Sequence, residues 1–166
     1  MIKKLLLAIA IALPMTAAAQ SAKFATVDTQ VLVEAMPETA AANTQIEAAA
    51  KKYEDEFKKL QDEFQKKYTE YQQLEESTPQ SIKERRAQEL QEQTQRMEQF
   101  RATAQQDLAR QNETLMGPIQ EKLLKAIQTV GANNGYTMIF PVGMSIYNGA
   151  DVQDATPLVK KELGIQ

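Results

Sequence analysis

The sequence predicts an α+β protein in which a long antiparallel helical hairpin, a coiled-coil arm, is attached to a small β body through which the chain oligomerises. Two observations lead to this prediction. Residues 38–133 are rich in charged residues, Gln and Ala, are almost free of Gly, and are interrupted once, by Ser-Thr-Pro-Gln at 77–80. Segments with a β-strand pattern occur only before and after that stretch, so the two ends of the chain have to meet to form one sheet.

These patterns divide the chain into four parts. In order, they are a signal peptide (1–19), the first strand and short helix of the body (20–36), the helical arm (37–133), and the remaining strands and terminal helix of the body (134–166). The tip of the arm is predicted near 76–81. The base of the second helix is predicted to return to the body from about 115.

The first residues have the pattern of an exported protein. Residues 1–4 include two lysines, residues 5–13 are apolar, and residues 17–19 are alanines that suit a cleavage site. The apolar run is shorter than the roughly 20 residues that a membrane-spanning helix needs. We therefore predict cleavage between Ala19 and Gln20, a protein that acts outside the cytoplasm, and no integral membrane span.

A short strand and a short helix are predicted next. Residues 23–28 have the pattern of a strand, with Phe24 and Val27 as its apolar members. Asp28 or Thr29 is placed to cap the helix that follows, because a short polar side chain can accept a hydrogen bond from the first free N–H groups.

The first helix of the arm, which we call the first arm, repeats every seven residues. Its predicted seam consists of a positions Asn43, Ala50, Phe57, Phe64 and Tyr71 and d positions Ile46, Tyr53, Leu60, Lys67 and Leu74. Most of these residues are apolar, and their alternating spacing of three and four places them on one stripe of a helix. Pro37 suits the first turn of this helix. We expect the aromatic residues of the seam to form the core of the hairpin.

The second helix of the arm, which we call the second arm, begins after a clear interruption. Pro79 breaks a helix because it lacks an N–H and clashes with the preceding turn. Ser81 and Glu84 then have the spacing of a capping box. Further on, the apolar spacing changes from sevens toward fours near Leu115, which predicts a change of partner from the first arm to the body. Gly-Pro at 117–118 predicts a kink or local loosening there.

The last part of the chain returns to a β-strand pattern. Residues 136–140 predict one strand and residues 144–147 a second strand. Thr156 is predicted to cap a final helix that has Pro157 at its first position. Three strands and a few helix ends make a small core, so the residues favour an oligomer whose subunits pool their sheets, without fixing the number of subunits.

The composition leaves few routes to catalysis. The chain has no His, Cys or Trp, which removes imidazole and thiol chemistry and the metal sites built on those residues. Its glycines are scattered and form no phosphate-binding loop, so no ATP or other cofactor is expected. Acidic residues 54–56 are consecutive on a helix and point in different directions, unlike the ligands of a metal. We therefore predict no enzyme activity and no catalytic, cofactor-binding or metal-binding residue.

The net charge also restricts the partners. Removal of residues 1–19 takes away two lysines and no acidic residue, so 17 basic and 22 acidic side chains remain and the charge is −5. An acidic chain is a poor match for a polyanion, since like charges repel. We expect no nucleic-acid partner.

Four segments together resemble a known family. Residues 145–156 read Ser-Ile-Tyr-Asn-Gly-Ala-Asp-Val-Gln-Asp-Ala-Thr, and residues 158–163 read Leu-Val-Lys-Lys-Glu-Leu. The opening strand and turn at 24–32 and the entry to the second strand at 126–136 complete the pattern. In these segments the chain resembles the Skp/OmpH-like periplasmic chaperone family, and with the signal peptide and two long arms the resemblance covers essentially the whole mature chain.

The resemblance implies a function and an assembly. It implies an ATP-independent periplasmic holdase, a homotrimer whose arms enclose unfolded outer-membrane β-barrel proteins in a cavity and prevent their aggregation. The residues that it assigns to the oligomerisation body are Phe24, Val27, Met138, Ile139 and Phe140, with Asp154 and Thr156 in the final turn and cap. Well-studied members are strongly basic, whereas this chain is acidic, which argues against lipopolysaccharide or anionic lipid as a partner.

Two functions remain open from the sequence. In the holdase interpretation, Tyr68, Tyr71 and Leu74 near the arm tip are candidate client contacts, because barrel strands alternate apolar and polar residues and aggregate through unpaired edges in water. The alternative is a structural coiled-coil spacer or adaptor of the cell envelope that binds one folded partner. Such a spacer would ignore unfolded chains.

Overall fold

The computed structural model describes residues 22–165, so the predicted signal peptide and its cleavage site lie outside the described residues. The elements are β1 (Phe24–Val27), α1 (Thr29–Ala35), α2 (Pro37–Gln72), α3 (Gln80–Asn134), β2 (Met138–Pro141), β3 (Gln153–Asp154) and α4 (Thr156–Leu163). Helices α2 and α3 pack against each other as a hairpin beside a small three-stranded sheet. The predicted α+β fold, with a long helical hairpin on a small β body, is confirmed.

The sheet joins the two ends of the chain. Its strand order is β2-β1-β3, and both pairs are parallel. Phe24 is opposite Met138, and Ala25 is opposite Gln153. The strand from the start of the chain therefore lies in the middle, between two strands from the end.

The predicted strand at 144–147 is wrong, and the third strand is Gln153–Asp154 instead. After β2, Val142 donates a last hydrogen bond to the Val27 carbonyl (2.9 Å). Gly143 then adopts a positive φ of 84° and turns the chain away from the sheet. The residues that follow form a loop, and the chain returns to the other side of β1 ten residues later.

A single apolar core holds the body together. It combines β1, α1, the first turns of α2, the last third of α3, and α4. Its buried members are Ala25, Val27, Leu32, Met36, Ala42, Ile119, Leu123, Ala126, Val130, Ala155 and Val159. The spacing of fours in α3 beyond Leu115 thus places side chains in the core of the body.

Polar side chains connect the ends of β1 and β3. Asp28 caps α1, as predicted, by accepting a hydrogen bond from the Val31 N–H (3.0 Å). Thr156 does not cap α4, contrary to the prediction, because it is already the first residue of that helix. Its hydroxyl instead accepts from the Asp28 N–H (2.9 Å), and its own N–H donates to the Asp154 carboxylate (2.9 Å). These bonds hold together two segments that are far apart in the sequence.

The hairpin follows the predicted seam. Nine of the ten predicted a and d positions of the first arm are buried or half-buried, and Asn43 is the exposed one. The helices are linked at the tip by residues 73–79. The predicted capping box is wrong: α3 begins at Gln80, before Ser81, without a side-chain cap. Glu84 instead accepts a hydrogen bond from the Gln80 amide on the same helix (3.0 Å).

Helix α3 continues through Pro118 without ending. Proline lacks the N–H that would bond to the carbonyl four residues earlier, so one rung of the helix is missing at this point. The predicted irregularity is therefore not a break in the helix. A shallow groove runs alongside, between the start of α2 at Ala41 and Ala42 and the α3 residues Leu115 and Ile119.

Candidate functional site

The open face of the sheet carries apolar side chains. Phe24, Met138 and Phe140 occupy the same face, since strand register places Phe24 beside Met138 and Phe140 two residues further along. The rings of Phe24 and Phe140 lie 6.5 Å apart, and Met138 is 53% exposed. Of the five residues assigned to the body, these three face outward, whereas Val27 and Ile139 belong to or pack against the core.

The loop after β2 adds further exposed apolar side chains, in a part of the chain without charged residues. Residues 126–150 contain no charged side chain, although a quarter of the chain is charged. We call the exposed apolar residues from Met138 to Tyr147, together with Phe24 of β1, the body patch. Its members are Phe24, Met138, Phe140, Val142, Met144, Ile146 and Tyr147. Phe24, Phe140, Met144 and Tyr147 line one shallow concavity. An exposed apolar surface of this kind indicates an interaction site.

Strand β2 also presents an open edge. Within the described part of the chain it pairs only with β1, and β3 on the other side of the sheet is two residues long. The outer edge of β2 therefore offers main-chain N–H and C=O groups to another chain. The body combines an uncovered apolar face with an unpaired strand edge.

The inner part of the hairpin has an aromatic seam. The Tyr53 and Phe100 rings lie 6.0 Å apart, the Phe57 and Phe100 rings lie 6.3 Å apart, and Arg101 lies 5.8 Å from the Phe57 ring. The Tyr53 hydroxyl donates to Asp107 (2.9 Å), and this hydrogen bond raises the pKa of the tyrosine. The aromatic residues pack between the helices here, as the sequence predicts.

The three candidate contacts near the tip do not have the same surroundings. Tyr68 is 39% exposed and stacks on Phe64 with the rings 6.0 Å apart. Tyr71 and Leu74 are half-buried along the seam. Phe64 is a neighbour that the sequence analysis assigned to the hairpin core, and its spacing of four from Tyr68 is the signal that places both rings together.

An ion pair links the bases of the two arms. Lys122 of α3 donates to Glu38 in the first turn of α2. This hydrogen bond is the main reason why the pKa of Glu38 is below its usual value. The other carboxylate oxygen, Oε2, is buried and has no hydrogen-bond partner among the described residues. The sequence analysis missed this pair because its members are 84 residues apart.

The family comparison agrees with this architecture. The family described as "Outer membrane protein (OmpH-like)" matches residues 23–163, which include every helix and strand of the structure. The chain belongs to the OmpH-like family. Proteins of the OmpH-like (Skp) family are non-enzymatic periplasmic chaperones, so membership implies a chaperone-type role for this chain. No individual curated protein matches it.

Residues 22–165 of this OmpH-like chain contain neither a metal-binding cluster nor a membrane-spanning helix. No group of three or more acidic side chains is arranged there to hold a metal ion. None of the helices in that range is long and apolar enough to cross a membrane.

The Glu38–Lys122 pair predicts a pH dependence of stability in this OmpH-like chain. A carboxylate whose pKa is lowered in the folded state stabilises it above the usual carboxyl pKa, and this contribution disappears as the pH falls through the lowered pKa. Replacing Lys122 with methionine should therefore lower the melting temperature at neutral pH. The difference from the unmodified chain should shrink in acid.

Lys125→Met provides the matched control for this measurement. Lys125 is exposed on the same helix and forms no ion pair within the described residues. Melting curves of the three proteins from pH 7 to pH 3 test the prediction. A difference between Lys122→Met and the unmodified chain that is constant over this range would contradict it.

Proposed function

We propose that this chain is an ATP-independent holdase that binds unfolded outer-membrane β-barrel proteins in a cavity between the helical arms of a homotrimer. The observation that carries the proposal is the projection of the arm from the body. The core ends at Ala42 on α2 and begins at Ile119 on α3. At about 1.5 Å per residue, the part of α2 beyond the core extends roughly 45 Å.

The shape of the arm suits an unfolded partner. Beyond the core, the two helices bury one narrow seam against each other and expose their remaining faces to water. Such a surface offers no deep pocket for a folded ligand, but several arms can surround a long chain and make many weak contacts. Binding the unfolded chain lowers its free concentration and slows aggregation without the use of ATP.

The body supports assembly of the proposed cage. The body patch and the open edge of β2 are the surfaces that a second copy would cover. Phe24, Met138 and Phe140 are the proposed interface residues, while Val27 and Ile139 support them from the core side. The trimeric number comes from the resemblance to the family. A body that joins its copies leaves the arms free to project on one side.

The proposed location follows from the leader. Cleavage between Ala19 and Gln20 would release the chain into the periplasm, where the clients pass on their way to the outer membrane. The proposed holdase uses no cofactor. Its acidic charge favours contact through apolar and aromatic side chains rather than through attraction to lipopolysaccharide.

An aggregation assay tests the proposal. An unfolded β-barrel membrane protein is diluted from urea with and without the purified chain, in the absence of nucleotide, and light scattering is followed. Because the chain has no Trp, tryptophan fluorescence reports on the client alone. We expect suppression that saturates near three chains per client. Unchanged scattering at large excess would reject the holdase and favour a spacer that binds a folded partner.

Changes near the arm tip should weaken client capture. Replacing Tyr68, Tyr71 and Leu74 together with serine removes two aromatic rings and one aliphatic side chain from the outer part of the arm. We expect the dissociation constant for the client to rise at least about fivefold, since the two aromatic contacts contribute about 0.5–1.5 kcal/mol each beyond their buried area. Client tryptophan fluorescence measures the change.

The control carries three serines at exposed polar positions of the same segment, Thr69, Gln72 and Gln73. It should bind the client as the unmodified chain does. Equal affinity of both triple variants would remove Tyr68, Tyr71 and Leu74 from the binding surface. Circular dichroism of both proteins verifies that the helices remain.

A further inference from the structure

The seam of the hairpin has two parts, which differ in how many apolar side chains they bury. In the inner part, Leu60 and Ala104 are buried, and the aromatic rings of Tyr53, Phe57 and Phe100 pack between the helices in the same stretch. Between Leu60 and the tip, the one buried side chain among the described residues is that of Gln93, which is 6% exposed. We call residues 63–93 the outer arm.

A polar contact separates the two parts. The Gln93 amide donates to the Glu63 carboxylate across the hairpin, with 3.3 Å between Nε2 and Oε2. This is the long end of the hydrogen-bond range, and a buried amide has capacity for further bonds. A polar residue inside a coiled-coil seam specifies the register at a cost in stability. The outer arm is therefore less firmly closed at this layer than the inner hairpin.

Charged side chains continue the seam beyond this layer. Lys67 is half-buried at a d position. On the facing helix, Arg86 and Glu89 are also partly buried and form an ion pair with each other (2.9 Å). These groups remain partly exposed in the closed hairpin, and packing the seam more tightly around them would bury charge, which is costly. The charged positions further weaken the closure of the outer arm.

The same segment holds apolar side chains that are only partly covered. Phe64 and Tyr68 stack on the first arm, and Tyr71 and Leu74 follow toward the tip. Leu90 faces them from α3 and is half-buried. Parting of the helices between the tip and the Glu63–Gln93 layer would expose all of these side chains at once. Residues 73–79 would keep the two parted helices connected at the tip.

We propose that the outer arm opens as one unit, bounded by the Glu63–Gln93 layer, and that the seam it exposes is the surface that binds unfolded β-barrel chains. Parts of a protein with few buried apolar contacts open locally at free energies below that of global unfolding. The inner hairpin and the body stay closed and act as a fixed base. This inference rests on the proposed holdase function and identifies the part of the arm that carries it.

Hydrogen exchange of the purified full chain tests the opening. Separated helices shorter than about 12–15 residues are marginal in water, so parting also breaks their backbone hydrogen bonds. Helical amides of residues 64–72 and 84–92 should therefore exchange together and at least about tenfold faster than amides of the inner hairpin, at 46–60 and 97–111. The boundary should fall at the Glu63–Gln93 layer. A smooth gradient of exchange from the body to the tip, or equal protection in both parts, would overturn the proposal.

A pair of matched variants tests the role of the polar layer. Gln93→Leu places an apolar residue in the seam and leaves Glu63 free to turn toward water, so exchange in the outer arm should slow about tenfold. Gln91→Leu makes the same chemical change at an exposed position of the same helix. It should leave exchange unchanged. If the two variants behave alike, the layer does not control opening.

The same variants separate this inference from the proposed function. Gln93→Leu should bind an unfolded β-barrel protein at least about threefold more weakly than Gln91→Leu, because its seam opens less often. Slower exchange with undiminished binding would overturn the inference while the holdase function stands. Loss of client binding by the unmodified chain would instead reject the function itself.

Discussion

Replacing Leu32 with alanine should lower the free energy of unfolding by about 2–5 kcal/mol, the range for truncating a fully buried leucine. Leu32 is 0% exposed and lies on α1 in the body core. The body is small, so the cavity left by the missing atoms removes a large share of its packing. Urea unfolding followed by circular dichroism at fixed protein concentration measures the change.

Leu124→Ala is the control for this substitution. Leu124 is 56% exposed on α3, and its truncation should change stability by about 0.5 kcal/mol or less. The body should unfold at a lower urea concentration in Leu32→Ala only. Equal midpoints for the two variants would mean that the arms, and not the body core, determine the stability of the chain.

Introducing aspartate at Met138 and Phe140 together should convert the proposed trimer to monomers at micromolar concentration. Both side chains lie on the open face of the sheet and belong to the body patch. A charge left unpaired in a buried interface costs several kcal/mol, and every subunit of the trimer would carry two. Sedimentation velocity measures the loss of assembly directly.

The matched control introduces the same two charges, as Val31→Asp and Leu124→Asp together, at side chains that are exposed on α1 and α3. It should assemble as the unmodified chain does. A trimer that survives the changes at Met138 and Phe140 would show that the copies associate through another surface. If the monomeric variant still unfolds cooperatively in urea, the body is folded and the substitutions act on assembly.

The arms could be predicted from the sequence because a heptad is a local pattern that extends over many turns. Phe57, Phe64 and Leu60 repeat it often enough to fix the seam of the first arm. Gln93 could not be identified in this way, since a polar residue contributes nothing to an apolar stripe. Its role becomes visible only once Glu63 lies opposite.

The body was harder to predict because its interactions join distant residues. A strand of two residues, such as β3, has too few positions to show alternation. Residues 144–147 show a stronger strand pattern, yet the chain leaves the sheet at Gly143 and β3 occupies the second edge of β1 instead. Thr156 resembled a helix cap, but its hydroxyl binds the Asp28 N–H from the other end of the chain.

The candidate site could be predicted only in part, because its geometry also depends on residues that are far apart in the sequence. The outward position of Phe24 and Phe140 depends on the register between β1 and β2, which the sequence does not contain. The ion pair between Glu38 and Lys122 depends on how the two helices align at their base. Residue types indicated a chaperone-like arm, whereas the geometry of the body required the tertiary structure.

The central position of β1 imposes an order on how the molecule matures. The first strand to leave the ribosome has to wait for partners that lie more than a hundred residues later, as the Lys23–Thr137 pairing illustrates. Helices α2 and α3 can form while the chain is still emerging, because their contacts are local or close in sequence. An incomplete chain would have arms but no sheet, and therefore would lack the surface proposed for joining other copies. The fold would thus restrict the proposed assembly to finished molecules.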